Sequence, residues 1–315
     1  MTRTNKALQL CVLASGLVAG QASQAYDLPV VNLGLTTFLD GGLPAGPGWY
    51  IQQYFQDYRA DHLKDQRGDD LPLPRQDLHY QVAVTQLSYL SDLRLGNASL
   101  GLNAVLPVVT RMDLDDGLNN AALKAQDGVG DLLVGPFIQF DPIMGPDGPR
   151  FVHRIELQVN LPTGKYDEDQ AINPGANAWS FNPYWAATYW FTPKWSASLR
   201  AHYLYNGKNE DPNYSYGGAD DLQAGQAVHA NFATEYAVTP QLRLGINGYW
   251  LNQFTDTRID GHEVSGRRER VWAIGPGAMY SFSQEDHLVV NAYVEQDVEN
   301  RPEGSRVQVR YVHHF

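Results

Sequence analysis

Cysteine is almost absent from this chain: Cys11 is the only one. It sits in a stretch that reads as an export leader, so its removal leaves no disulfide, thiol nucleophile or thiolate metal site. Long apolar runs are missing too. After residue 25 no run of 18 apolar residues occurs, which excludes a membrane-spanning helix. Positive charge is scarce, with 23 Lys and Arg against 35 Asp and Glu and a formal charge of -12; an acidic chain of this kind is not built to bind nucleic acid. Recognisable catalytic spacings are lacking as well. No Gly-x-Ser-x-Gly elbow occurs, the stretch from Gly261 to Gly266 having the wrong spacing and no second histidine after His262 and Glu263. His313 and His314 are adjacent and point to opposite faces of a strand, which argues against a metal site from that pair. Neither an enzyme nor a cofactor is expected.

What is present points elsewhere. Residues 1–25 carry a basic start at Arg3 and Lys6, an apolar run from Leu8 to Val18, and the small-x-small stretch Ser23-Gln24-Ala25. That is the layout of a signal peptide cleaved before Tyr26. Beyond it, strict period-2 alternation recurs to the last residue. Phe151, Ile155, Leu157, Val159 and Leu161 share one face, with His153 the exception, while Val152, Arg154, Glu156, Gln158 and Asn160 share the other. Trp195, Ala197, Leu199, Ala201, Tyr203 and Tyr205 alternate in the same way with Ser196, Ser198, Arg200 and His202. Twelve such segments occur, at roughly 49–58, 77–90, 98–109, 128–140, 150–161, 178–191, 195–206, 226–237, 241–254, 270–282, 287–297 and 305–315.

The connections between them alternate between long polar loops and short turns, such as Thr192-Pro193-Lys194 and Val238-Thr239-Pro240. Strands of about ten residues joined in that manner are the pattern of a transmembrane β-barrel. The fold class expected is therefore all-β, an up-and-down antiparallel barrel of 12 strands over residues 49–315. With an even strand number both barrel ends lie on one side, the periplasmic side of the short turns, and the long loops face outward. Aromatics near strand ends (Trp49 and Tyr50, Tyr58, Tyr89, Trp179, Trp190 and Phe191, Trp195, Tyr205, Tyr236, Tyr249 and Trp250, Phe282, Phe315) suit interfacial girdles. Residues 26–48 are too apolar for an idle tail, and they either enter the lumen as a plug or lie along the rim. The loop stretches 170–179 and 214–221 are candidate constrictions, because Gly and Pro let the chain turn back inward. Pro136, Pro183 and Pro276 each remove a ladder donor and mark places where the wall could open sideways.

The charges on the polar strand faces are Arg154, Glu156, Arg200, Glu235, Arg243, Glu295, Arg306 and Arg310, joined by His202, His229 and His314. Five arginines against three glutamates make a basic interior in an acidic protein, which favours anions in a narrow pore. The other reading is that these charges pair and fill the barrel. Acidic pairs such as Asp69-Asp70 and Asp220-Asp221 fall in outer loops, as solvated charge or as a bridge through divalent cations to lipopolysaccharide phosphates. The last strand ends on Phe315, with Tyr311 in phase and His313 out of character, and resembles the C-terminal signal read by the barrel-assembly machinery.

Several stretches carry a family resemblance: 36–61, beginning Thr36-Thr37-Phe38-Leu39-Asp40, then 128–137, 157–167 with Leu161-Pro162-Thr163-Gly164-Lys165-Tyr166, and 173–209 with Asn173-Pro174-Gly175-Ala176-Asn177. They resemble the outer-membrane transporters of the meta-cleavage pathway of phenol degradation. The resemblance implies a monomeric 12-stranded channel in outer-membrane lipid, passing small, hydrophobic or aromatic-acid solutes, with no catalytic residues. A closed structural or adhesion barrel with a charge-filled lumen, and a barrel lipid-modifying enzyme, are the alternatives.

Overall fold

In the computed structural model, which describes residues 27–29 and 31–315, twelve antiparallel strands close into a barrel. The leader, its Cys11 and the cleavage point before Tyr26 lie outside the described residues. The strands are β1 (Gly48–Leu63), β2 (Asp77–Leu95), β3 (Ala98–Asp115), β4 (Gly128–Val129 and Leu132–Phe140), β5 (Gly148–Glu156 and Val159–Leu161) and β6 (Ser180–Phe181 and Tyr184–Thr192). They continue as β7 (Trp195–Asn206), β8 (Ala227–Ala237), β9 (Leu242–Gln253), β10 (Arg270–Ser281), β11 (Asp286–Glu299) and β12 (Pro302–His314). Each pairs with its neighbours in sequence, and β12 returns to β1 with Tyr54 opposite Arg310 and Tyr50 opposite His314. Closure leaves the sheet no free edge.

The alternation explains the shape. On β7, Ser196, Ser198, Arg200 and His202 are buried, whereas Trp195 and Leu199 are 46% and 40% exposed. Polar-in and apolar-out inverts a water-soluble domain. It suits lipid, where a closed barrel pairs its strands' backbone groups with one another and presents a mainly apolar face to the acyl chains. Trp49, Tyr89, Trp179, Phe191, Trp195, Tyr236, Trp250, Phe282 and Phe315 all stand exposed on the outside. Tyr50, Tyr58 and Tyr249 do not: each is buried inside the barrel. Their parity along the strand puts them in phase with Gln52, Gln56 and Asn247, which are also buried.

Strands β1 to β3 run further than the apolar alternation suggests. Their outer ends remain laddered, with Asp77 opposite Asp115, Tyr80 opposite Met112 and Ala60 opposite Gly304. The outward face turns polar there, as Arg59, Asp61, Arg111 and Asp113 show, while Tyr58, Leu78 and Leu114 stay buried inside, so the apolar-out signal stops where the lipid belt stops while the backbone pairing goes on. Three neighbouring strands are interrupted: β5 at Leu157-Gln158 and β6 at Asn182-Pro183, opposite each other, and β4 nearer the long-loop end at Gly130-Asp131. Single bonds still cross, from Leu157 N–H to Pro136 O (3.0 Å) and from Asn182 N–H to Gln158 O (2.8 Å). Pro276, by contrast, sits in regular register opposite Ile246.

At the long-loop end the connections fold over the mouth. Leu71, Leu123 and Ala171 from three loops pack with Tyr58, Leu63, Leu78 and Leu114 of the strands. Asp116 organises the loop that follows β3, accepting the backbone N–H groups of Leu118 and Asn120 on one oxygen and of Ala122 and Leu123 on the other. Tyr214 joins this group by donating to Ala122 O (3.2 Å).

The barrel interior as candidate functional site

Residues 27–29 and 31–47 run through the barrel from the long-loop mouth to the start of β1. At the mouth, Asp27 and Leu28 donate their N–H groups to Glu269 Oε1 (3.0 and 2.9 Å), and Arg267 grips the Asp27 carboxylate. Burial pushes the Glu269 carboxyl above its usual range, against the opposing pull of the Arg301 guanidinium. Tyr216, from the loop stretch 214–221, donates to Asp27 Oδ1 (2.9 Å). Deeper in, Gly34 N–H donates to Asn231 Oδ1 (2.8 Å), the Tyr293 hydroxyl to Gly34 O (2.8 Å), Gln308 Nε2 to Leu35 O (2.9 Å) and Asn291 Nδ2 to Thr37 Oγ1 (3.1 Å). Near the short-turn end, Gly41 N–H donates to Thr188 Oγ1 (2.9 Å) and Gln139 Nε2 to Gly41 O (3.1 Å). The partners belong to β4, β6, β8, β11 and β12, so the segment fills the section of the lumen rather than following one wall.

Two glycines make this path possible. Gly34 has φ +79°, and a Cβ there would stand 2.9 Å from the Tyr293 ring. Gly41 lies so close to the wall that a Cβ would meet Thr188 N at 2.3 Å and Val152 O at 2.5 Å. The segment's apolar side chains supply the core that a polar-lined barrel lacks. Leu28 and Leu33 pack against Tyr249, Leu251, Val271 and Tyr293, and Phe38 against Ala233, Met279 and Val289.

The charged residues singled out from the strands all turn inward. Arg154, Glu156, Arg200, His202, His229, Glu235, Glu295, Arg306 and Arg310 are buried, and Arg243 is half-buried. They fall into groups. Arg200 donates through Nε and Nη2 to Asp40 of the threaded segment (2.7 and 2.6 Å), a bidentate pair that is 5% exposed on each side. Arg306 donates to Leu33 O, lies 3.6 Å from Glu295 and stacks over Tyr58 and Tyr249. Glu295 accepts from the Tyr58 and Tyr249 hydroxyls (2.5 and 2.6 Å) and from Gly304 N–H (3.0 Å). Glu156 accepts from Tyr184 and Gln158 (both 2.6 Å) and from Asn103. Ser196 donates to Glu235 (2.7 Å). His202 and His229 stack 4.1 Å apart and share Asn182 Oδ1 at 3.2 Å each. Arg154 and Arg310 make no carboxylate pair among the described residues; they lie over Phe137 and Tyr184, and over Tyr54, respectively. His314 sits at the short-turn rim, 3.2 Å from Pro47 O.

Sequence reasoning did not single out Asp40, nor the inward tyrosines Tyr54, Tyr184 and Tyr293. The tyrosines could have been found by strand parity, since Tyr54 lies between Gln52 and Gln56. Asp40 had no such signal, because the segment has no period and its grip on the wall is mostly through its backbone. Outside the lumen, Tyr311 donates to Asp286, His313 lies 2.8 Å from the same carboxylate, and Phe315 N–H donates to Trp49 O (2.9 Å).

A closed antiparallel barrel with an apolar exterior and a polar, internally bonded lumen is a transmembrane β-barrel protein of the outer-membrane type. The chain belongs to the family described as "Putative MetA-pathway of phenol degradation", which matches residues 60–311. Its fold is similar to that of the COG4313 outer membrane channel from Pseudomonas putida F1, with a TM-score of 0.75 over 87% of this chain and 97% of that one at 21% identity. The Ralstonia pickettii toluene transporter TbuX is a looser likeness, with a TM-score of 0.41 over 86% of this chain and 90% of that one at 9% identity. No curated protein sequence matches the chain.

Proposed function

We propose that this protein is a monomeric channel for small organic solutes in the outer membrane of a Gram-negative bacterium, closed at rest by its own residues 27–47. The observation that carries the reading is the threaded segment. It is bonded to inward residues of at least five strands, yet most of those bonds are single neutral hydrogen bonds, each worth only about 1 kcal/mol net. A stopper held in that way can leave without unfolding the barrel, whose strand-to-strand closure does not run through it. Family membership supports a solute drawn from aromatic degradation. The lumen supports a negative one, because Arg154, Arg200, Arg243, Arg306 and Arg310 outnumber Glu156, Glu235 and Glu295.

Planar-bilayer conductance of wild type and Gly34→Ala tests this. The added Cβ collides with Tyr293 and forces an unfavourable positive φ, so the segment should loosen and the conductance should rise several-fold over a near-silent wild type. The competing reading is a closed structural barrel, favoured by the tight hydrogen bonding of Glu156 and Glu295. A folded Gly34→Ala protein, and a folded variant lacking 27–47, that both stay silent would establish that reading instead.

A further inference from the structure

Arg154 on β5 and Arg200 on β7 stand at one level, each directly opposite Ala186 of the intervening β6. Ala186 is fully buried and small, so the two guanidinium groups overhang it from either side. Both also lie over the ring of Tyr184, with Arg200 Cζ 4.1 Å and Arg154 Cζ 5.6 Å from its centroid, and Arg154 is 5.3 Å from that of Phe137. Two buried cations this close need an anion. Nearby Glu156 is committed to Asn103, Gln158 and Tyr184. The anion present is Asp40, which the threaded segment brings in and which takes the fork of Arg200 alone. Arg154 keeps Nε and Nη1 buried with no hydrogen-bond partner, although the residue is only 4% exposed. The site therefore holds more donors than its occupant uses. Delivering Asp40 also has a cost: Leu39 before it sits at φ +54°, which L residues other than Asn and Asp seldom adopt.

We propose that Arg200 and Arg154, walled by Tyr184 and Phe137, form a binding site for an organic carboxylate with a planar ring, and that Asp40 is a tethered stand-in for that carboxylate. An arriving solute carboxylate takes the bidentate fork of Arg200, engages the free donors of Arg154 and lays its ring against the tyrosine and phenylalanine faces. Asp40 is displaced, Leu39 relaxes, and the segment loses its one strong ionic anchor in mid-lumen. The gating consequence rests on the channel reading above, whereas the binding claim rests on the site alone. A short tether holds its carboxylate at an effective concentration of about millimolar or more, so the solute binds weakly until the stand-in is removed.

Isothermal titration of the full-length protein in detergent with sodium benzoate separates the two claims. Asp40→Asn should bind benzoate at least about tenfold more tightly than wild type. Arg200→Gln should lose measurable binding, and phenol, which has the ring without the charge, should bind none of the three. Folding of each variant is checked by heat-modifiable migration. If Asp40→Asn fails that check, Thr188→Ala replaces it: it frees Gly41 without touching the ion pair and should tighten benzoate about threefold. Equal benzoate affinity in wild type and folded Asp40→Asn (or Thr188→Ala where it stands in), or retained affinity in folded Arg200→Gln, overturns the proposal. Binding as expected with no conductance under any condition would sink the channel reading and leave the site standing.

Discussion

Glu295 accepts from two tyrosine hydroxyls and a backbone N–H and lies beside Arg306, all of them buried. Replacing it with alanine strips the tyrosines of an acceptor and leaves Arg306 without a carboxylate, a change that costs about 3–5 kcal/mol when one partner of a buried pair is lost. Glu295→Gln keeps an oxygen for the tyrosines and gives up only the charge, so about 1–3 kcal/mol is expected. The temperature at which the folded band is lost on heat-modifiable gels should fall in the order wild type, glutamine, alanine. Equal shifts for the two variants would show that charge, not hydrogen bonding, holds this group. Parity alone identified Glu295 and Arg306 as inward residues. The tyrosines they serve lie near strand ends, where lipid interfaces also recruit aromatics; position along the strand and phase point to opposite faces there, and phase decides.

At the scale of elements, the strands were readable wherever one face meets lipid, because the bilayer enforces the two-residue period. Loops obey no such constraint, and the connection after β3 is held instead by one side chain. Burial alone would raise the Asp116 carboxyl, but the N–H groups of Leu118, Leu123, Ala122 and Asn120 outweigh it and hold it below the usual range. The folded value is thus lower than the unfolded one, so the charged carboxylate's contribution is complete above roughly pH 5 and drains away as pH falls through the depressed value. Hydrogen exchange over residues 116–127, corrected for intrinsic rate, should be protected at pH 7 and lose that protection in acid. Asp116→Asn should lose much of it already at pH 7, and unchanged protection would mean that Leu123 and its apolar neighbours anchor the loop unaided. The end of β12 offers a second case. Phe315 closes the ladder onto Trp49 and exposes its ring toward lipid, so its deletion should lower the yield of assembled barrel while leaving the conductance of what does assemble unchanged. Normal yield of the deletion would remove Phe315 from any role in assembly.

For the molecule as a whole, the barrel could be read from periodicity and its contents could not. Residues 27–47 are aperiodic, and the lumen recognises them through the carbonyls of Leu33, Gly34, Leu35 and Gly41, groups that every sequence carries. Threading also changes the charge of the pathway. The strands alone place Arg154, Arg200, Arg243, Arg306 and Arg310 against Glu156, Glu235 and Glu295, an excess of two positive charges with the histidines neutral. Asp40 halves that excess by occupying Arg200, and Asp27 adds a further negative charge at the mouth. Freed of its segment, the pore should therefore prefer anions more strongly than the resting protein does, because low-dielectric walls focus the field of the uncompensated arginines. Reversal potentials under a potassium chloride gradient measure this directly. A variant lacking 27–47 should shift toward the chloride potential relative to any residual wild-type conductance, and Arg154→Gln in that background should move it part of the way back. A cation-selective sign in the segment-free pore would mean that the acidic outer loops, not the buried arginines, set the field that a permeating ion feels.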